Sequence, residues 1–201
     1  MKSKFLFLAT LVAVLFTAQT PATASVPSFS ADNVSFSTKD KTFKVSIRNM
    51  AAETVSIYLE DIQGIVLVNE TLETAPNFVK AYRLENLPIG KYQFTVKRNG
   101  YKVVQPFDIT LSSINLSETD KIQTLLPSIL QKEDKITVKS FAKKGDKTTV
   151  RILSNDGALL LEKEYTDEIL CKTFDLSSLP KGIYFFEVAT DEQEEYFTVV
   201  H

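Results

Sequence analysis

Two stretches, Val79-Lys-Ala-Tyr-Arg-Leu-Glu-Asn-Leu-Pro-Ile-Gly-Lys-Tyr92 and Cys171-Lys-Thr-Phe-Asp-Leu-Ser-Ser-Leu-Pro-Lys-Gly-Ile-Tyr184, decide the fold because they are nearly the same sequence. The shared positions are Leu84, Leu87, Pro88, Gly90 and Tyr92 in the first copy and Leu176, Leu179, Pro180, Gly182 and Tyr184 in the second. The similarity extends outward, since Val34–Val45 runs parallel to Pro127–Val138. Two copies of one module of roughly 75 residues therefore make up most of the chain.

Alternating apolar and polar residues predict β-strands in both copies. Val55, Ile57 and Leu59 alternate with polar neighbours, and the second copy repeats this pattern. The pairs Asn99-Gly100 and Asp156-Gly157 suit tight hairpins, because such turns need a positive φ that glycine adopts without steric cost. The predicted strands of the first copy lie at about 34–38, 42–48, 54–60, 64–71, 78–84, 91–98 and 102–109. Short strands at this spacing favour an antiparallel β-sandwich of the Ig-like type.

The shared leucine-proline-glycine-tyrosine segment predicts a corner of each sandwich. In such domains a tyrosine just past a corner packs its ring at the edge of the core, and its hydroxyl bonds the preceding backbone. The prolines stiffen the turn and the glycines permit the reversal. The predicted corner residues are Leu87, Pro88, Gly90 and Tyr92 in the first copy and Leu179, Pro180, Gly182 and Tyr184 in the second. The alternative use of these aromatic residues is stacking on a sugar.

Residues 1–24 have the pattern of a signal peptide. Lys2 and Lys4 precede the apolar stretch Phe5–Phe16, and Ala22-Thr-Ala24 is the small-x-small sequence that signal peptidase accepts. Cleavage is expected between Ala24 and Ser25. The apolar stretch is shorter than the about 20 residues that span a bilayer, and a permanent N-terminal anchor is the alternative. We expect a mature chain that is exported and has no integral membrane segment.

The sequence therefore divides into a signal peptide (1–24), a first Ig-like β-sandwich domain (25–109), a linker (110–126) and a second Ig-like domain (127–201). Only the segment 110–126 has no counterpart in the other copy. Within it, Ser117–Thr124 can hold a helical turn.

The charge composition excludes nucleic acid as a partner. The chain is 44% apolar, with 23 Lys+Arg against 25 Asp+Glu. Removal of Lys2 and Lys4 with the signal peptide gives a net charge of about −4, so no basic surface attracts nucleic acid.

Cys171 is the lone cysteine, which leaves no internal disulfide. We interpret it as a small apolar strand residue, with an intermolecular disulfide or a reactive thiol as the alternatives.

Catalytic and metal-binding patterns are weak. The lone histidine is His201, the last residue of the sequence, and chain ends fray, so we expect no positioned base there. No phosphate-binding, zinc-protease or Cys-x-x-Cys motif occurs. Asp191–Glu195 and Ser154–Gly157 offer oxygen ligands of the kind calcium prefers, but neither has the spacing of a calcium loop. We predict no enzyme, no metal and no cofactor.

The second copy carries a family resemblance. Asp175–Val188, preceded by Val150–Glu162, resembles the C-terminal sorting domain of type IX secretion cargo. It is similar also to the short Ig-like modules of proteins secreted by Bacteroidetes. The resemblance covers 127–201 and, more weakly, 34–109. It implies a small β-sandwich and export to the periplasm, the cell surface or the medium.

Two functions follow as hypotheses. The first is an exported, non-enzymatic protein of two tandem Ig-like domains that serves protein–protein or cell-surface interaction, because loops and edges of such scaffolds carry recognition. The alternative is that 127–201 is a sorting signal for the upstream domain. Tyr196–Val200 carries no charge or proline, whereas such residues commonly protect the edge of a sheet. We therefore expect strand-edge association through 196–200, unless this strand pairs on both sides within its own sheet.

Overall fold

The computed structural model describes residues 33–48, 53–74 and 77–201, which form antiparallel strands and a short 3₁₀ turn at Glu118–Asp120. The strands of the first repeat are β1 (Val34–Lys39), β2 (Thr42–Ile47), β3 (Glu53–Asp61), β4 (Val66–Thr74), β5 (Phe78–Arg83), β6 (Gly90–Arg98) and β7 (Tyr101–Ile109). Two short strands follow, β8 (Ile114–Leu116) and β9 (Ile122–Leu125). The strands of the second repeat are β10 (Ser128–Lys132), β11 (Lys135–Phe141), β12 (Thr148–Ser154), β13 (Leu159–Tyr165), β14 (Ile169–Asp175), β15 (Ile183–Thr190) and β16 (Glu194–Val200).

Each repeat contains two antiparallel sheets that share a hydrophobic core. In the first, the sheet β1–β2–β5 packs on the sheet β4–β3–β6–β7–β8, and β9 also pairs with β7. In the second, the sheet β10–β11–β14 packs on the sheet β13–β12–β15–β16. The predicted all-β fold of antiparallel Ig-like sandwich type is confirmed. The division into two domains at the predicted boundaries stays a prediction, and the predicted signal peptide with Ala24 and Ser25 lies outside the described residues.

The alternation seen in the sequence becomes the core of each repeat. Phe43 of β2 and Phe94 of β6 are fully buried, and their ring centroids lie 4.3 Å apart across the two sheets. Phe107 of β7 joins them at 4.7 Å from Phe43. In the second repeat Phe174 of β14 meets Phe186 of β15 edge to face at 5.9 Å. Each core is therefore closed by aromatic residues that alternate with polar ones along the strand.

The hairpin glycines have the conformation expected from the sequence. Gly100 has a φ of 91° and Gly157 a φ of 82°, which is the region that residues with a Cβ rarely adopt. The strands lie close to their predicted bounds, and β4 is displaced most, from 64–71 to Val66–Thr74. Local sequence thus places the strands and turns correctly.

The prediction that residues 110–126 are a linker is wrong. Residues 114–116 and 122–125 are strands β8 and β9, and both pair antiparallel with β7. Ile114 and Leu126 are 5% and 4% exposed, and Ile114 belongs to the core of the first repeat. The sequence did not show this because strands of three and four residues are too short for a periodic pattern. The segment therefore completes the first repeat, and the predicted helical turn is the 3₁₀ turn between the two strands.

Candidate functional site

The predicted corner residues lie where the two repeats are most alike. The Tyr92 hydroxyl donates to the Pro88 carbonyl oxygen at 2.9 Å, and the Tyr184 hydroxyl donates to the Pro180 carbonyl oxygen at 2.6 Å. Both rings are buried, at 8% and 6% exposure. Leu87 and Leu179 are partly buried against the same cores. This geometry orders a chain reversal, and the buried rings have no face free to stack on a sugar.

The two corner glycines do not have the conformational role that the sequence suggested. Neither Gly90 nor Gly182 adopts a positive φ, and a Cβ built at Gly182 meets no atom within 4 Å. At Gly90 a Cβ would lie 3.6 Å from the Tyr92 ring, an ordinary contact. The reversal is therefore made by the proline and the tyrosine hydrogen bond, without left-handed backbone at glycine.

His201 is held in place, in contrast to the expectation of a frayed chain end. Its side chain is 1% exposed, its Nδ1 lies 3.1 Å from Asp134 Oδ1, and its Nε2 lies 3.2 Å from the Leu179 carbonyl oxygen. Lys181 binds the same Asp134 oxygen at 2.9 Å, and this hydrogen bond is the main cause that lowers the pKa of Asp134. These contacts tie the end of β16 to the corner and to the β10–β11 turn, which is a structural arrangement.

The acidic loops weighed as calcium ligands are engaged with other groups. Asp156 accepts a hydrogen bond from the Ser154 hydroxyl, and this bond lowers the pKa of Asp156. Glu192 pairs with Lys143, and Glu195 pairs with Lys97 of the first repeat at 2.9 Å. Across 33–48, 53–74 and 77–201 no group of three or more His, Cys, Asp or Glu side chains is placed to hold a metal ion.

A charged cluster joins the two sheets of the first repeat. Glu70 of β4 accepts hydrogen bonds from Lys80 Nζ at 2.5 Å and from the Tyr82 hydroxyl at 3.0 Å, both on β5. The Lys80 hydrogen bond is the main cause that lowers the pKa of Glu70 from its ordinary value of 4.5. Burial, with a smaller contribution from Glu70, raises the pKa of Tyr82. No sequence pattern indicates this cluster, because Glu70 lies 10 residues or more from its partners and on the other sheet.

We expect the stability of the first repeat to fall as the pH drops below about 4.5. The folded state holds Glu70 at a lowered pKa, so the unfolded chain takes up a proton first. The stabilisation is therefore present above the ordinary pKa and is lost as the pH falls through the folded one. Glu70→Gln should flatten this part of the profile when melting temperatures are measured between pH 7 and pH 3. Glu85→Gln, at an exposed corner position, is the control, and an unchanged profile in Glu70→Gln would contradict the assignment.

The strand β16 lies at the edge of its sheet and presents a row of outward backbone groups that no other described strand pairs with. Within the described chain it pairs only with β15. Gly182 and His201 exchange two backbone hydrogen bonds, at 3.0 and 2.9 Å. Hydrogen-bonded and non-hydrogen-bonded pairs alternate along antiparallel strands, so residues 195, 197 and 199 also face β15. The N–H and C=O groups of residues 194, 196, 198 and 200 therefore point away from the sheet.

One of these outward groups is capped by a side chain. Gln131 of β10 donates from Nε2 to the Val200 carbonyl oxygen at 2.7 Å. Tyr196 and Val200 are 65% and 67% exposed, so these two positions of the strand are open to solvent. The structure thus places Tyr196–Val200 at an open edge, as one of the two sequence-based alternatives predicted.

The equivalent edge of the first repeat is fully covered. The outward groups of β7 pair with β9 at residues 102 and 104 and with β8 at residue 108. The remaining outward position is Pro106, which has no N–H, and its carbonyl oxygen accepts a hydrogen bond from Gln105 Nε2 at 3.0 Å. The same amide donates to the Ser117 carbonyl oxygen at 2.9 Å. Gln105, whose role the sequence did not indicate, is 1% exposed. Buried polar side chains are normally hydrogen-bonded, and here the partners are backbone carbonyl oxygens at the edge of β7.

The two repeats contact each other beside this edge. Gln193 Nε2 donates to the Leu125 carbonyl oxygen, and Asn99 Nδ2 donates to the Ile129 carbonyl oxygen, both at 2.9 Å. A shallow cleft of about 530 Å³ lies there, with Lys102 and Thr124 on one side and Phe141 and Glu192–Glu195 on the other. In the described part of the chain, polar contacts join the two repeats here, and their hydrophobic clusters are separate. Over the described ranges no helix is long and apolar enough to cross a membrane.

Comparisons with known proteins fit this geometry. Residues 132–200 match the family described as the secretion system C-terminal sorting domain. The match begins at the last residue of β10 and ends with β16, so it covers β11 to β16 of the second repeat and leaves the first repeat outside. This bears out the resemblance seen in the sequence, and it fits a secreted or surface β protein.

No curated protein matches the chain. Among solved structures, a similar one is described as "Biofilm associated protein - BSP domain". It shares 14% identity with this chain, with a TM-score of 0.28, and the alignment covers 82% of this chain. The chain spans 29% of the length of that structure.

Proposed function

We propose that this chain is an exported, non-enzymatic protein whose second repeat is its address for a secretion system. The observation that carries the proposal is the family match over 132–200, which spans β11 to β16 and so all but the first strand of the second sandwich. The first repeat is then the passenger that is carried toward the cell surface or the medium. The corner, the His201 contacts and the two cores serve to keep each sandwich folded.

The test uses the chain's own internal control. Residues 127–201 are fused behind an exported reporter in a host that has type IX secretion, and residues 33–126 are fused in a second strain. The second fusion carries a sandwich with the same corner but without the family match. We expect the first reporter on the surface or in the medium and the second in the periplasm. Equal distribution of the two reporters would contradict the proposal.

A second candidate function is protein–protein interaction, and the open edge of β16 favours it. Backbone groups at an unprotected edge bind an extended strand through main-chain hydrogen bonds. The edge is exposed at Tyr196 and Val200, and the first repeat shows that a homologous edge accepts two strands. The two functions are compatible, because one concerns export and the other concerns the exported protein.

This candidate is tested by removing one outward N–H. The protein and its Thr198→Pro variant are immobilised and exposed to an envelope extract of the same cells. Proteins retained by the unmodified chain and lost from the variant support strand addition at β16. Identical retention by the two would place any binding on another surface.

A further inference from the structure

We propose that β16 pairs with the β16 strand of a second copy of this chain, antiparallel and across a two-fold axis at Phe197. The inference deepens the interaction function and rests on it, since it names the strand that the edge receives. It starts from the internal comparison between the repeats. Strands β8 and β9 close the edge of β7, whereas the described residues provide no strand for the equivalent edge of β16.

Besides the strands β8 and β9, two single residues distinguish the edge of β7 from that of β16. The positions of β7 and β16 correspond because Tyr92 pairs with Phe107 and Tyr184 pairs with Val199. Pro106, which removes an outward N–H, corresponds to Thr198, which keeps it. Gln105 donates a hydrogen bond from its side-chain amide to the outward carbonyl oxygen of Pro106. It corresponds to Phe197, whose side chain has no donor. The second repeat therefore lacks both devices that protect the first.

The sequence of β16 is complementary to itself in the antiparallel orientation. With the axis at Phe197, Tyr196 lies opposite Thr198 of the second copy and Glu194 lies opposite Val200. Residues 194, 196, 198 and 200 all carry outward backbone groups, so this register brings hydrogen-bonding positions together. The Tyr–Thr pairs are aromatic with β-branched, a combination that stabilises neighbouring strands.

Charge selects the antiparallel orientation. The acidic residues Asp191, Glu192, Glu194 and Glu195 lie at one end of the strand. An antiparallel pair places the two acidic ends far apart, whereas a parallel pair would set Glu194 and Glu195 beside their copies. Like charges directly opposite each other destabilise a sheet. The second copy therefore fits in one orientation only.

Gln131 limits the length of the pair. Its side chain donates a hydrogen bond to the Val200 carbonyl oxygen, so this oxygen cannot accept one from the second copy. The hydrogen bonds between Tyr196 of one copy and Thr198 of the other then form the centre of the contact. Thr38 of β1, the equivalent position in the first repeat, lies 3.5 Å from the carbonyl oxygen of Ile114 in β8. Gln131 thus reaches into the place that a strand occupies in the first repeat. Such a short contact is smaller than a standard interface of about 1,600 Å², so we expect a weak dimer that forms with rising concentration.

The experiment is sedimentation equilibrium of the purified chain over a wide range of concentrations. We expect the mass to rise from one chain toward two. Thr198→Pro should stay monomeric with an unchanged melting temperature, because its N–H is not bonded to β15 and Pro106 stands at the equivalent place in β7. Thr198→Val keeps the N–H and should dimerise as the unmodified chain does. Gln131→Ala should dimerise at several-fold lower concentration, because it frees the Val200 carbonyl oxygen.

Three results would overturn the proposal. The first is a chain that remains monomeric at every concentration, even if it retains another protein from the envelope extract through the same edge. The second is a dimer that Thr198→Pro leaves intact, since the contact would then lie elsewhere. The third is unfolding of the second repeat in Thr198→Pro, which would show that residue 198 faces β15. The second and third results leave the export function untouched, and the first can coexist with the interaction function.

Discussion

Replacing Tyr184 with alanine is expected to lower the free energy of unfolding of the second repeat by about 3–5 kcal/mol, the cost of removing a buried aromatic ring. The ring is 6% exposed and belongs to the core of β15 and its neighbours. Tyr184→Phe keeps the ring and loses the hydrogen bond to the Pro180 carbonyl oxygen, so about 1 kcal/mol is expected. Urea denaturation followed by circular dichroism measures both changes.

Tyr196→Ala is the matched control, because Tyr196 lies on the neighbouring strand of the same sheet and is 65% exposed. Its effect should stay within about 0.5 kcal/mol, as for other surface substitutions. A cost for Tyr184→Ala no larger than that of the control would show that the tyrosine is not part of the core. The shared corner motif would then contribute nothing to the stability of the second repeat.

The second large effect concerns the segment that the sequence presented as a linker. A fragment 25–112 lacks β8 and β9 and exposes the core where Ile114 was packed. Loss of one buried isoleucine side chain alone costs about 2–5 kcal/mol. A small domain is stable by only about 5–15 kcal/mol, so fragment 25–112 should be strongly destabilised.

Fragment 25–126 retains both strands, and with them the hydrogen bond from the Leu126 N–H to the Gly100 carbonyl oxygen at 2.9 Å. It should fold and melt cooperatively by circular dichroism. If the two fragments melt at the same temperature, β8 and β9 contribute nothing to the first repeat. If fragment 25–126 is unfolded as well, the two repeats depend on each other and the predicted domain division is wrong.

Most of the fold could be predicted because it depends on neighbours in the sequence. Alternation of side chains along Val55–Leu59 requires a strand with one buried face, and Gly100 and Gly157 mark turns that need a positive φ. The repeat of Leu87-Pro88-x-Gly90-x-Tyr92 at Leu179–Tyr184 predicts the same corner twice, since a bond from a tyrosine to a carbonyl four residues earlier is local. The role predicted for Gly90 and Gly182 was wrong, because a shared motif does not show which backbone angles make the turn.

The candidate site could be predicted only in part. The absence of charge and proline in Tyr196–Val200 indicates an unprotected edge, but the outward direction of the Thr198 N–H follows from the pairing of Gly182 with His201. The cluster of Glu70, Lys80 and Tyr82 joins two sheets, and no periodic pattern marks it.

Residues a few positions apart specify the main strands, the turns, the corner and the repetition of one sandwich, and these features could therefore be predicted. Pairing between distant segments, in contrast, makes 110–126 part of the first repeat and leaves the corresponding edge of the second open among the described residues. β8 and β9 are strands because β7 offers them partners, and β16 is an edge because no described segment other than β15 pairs with it as a strand. Whether a backbone group finds a partner depends on which segments meet in space, and strands of three or four residues carry too little pattern to reveal that.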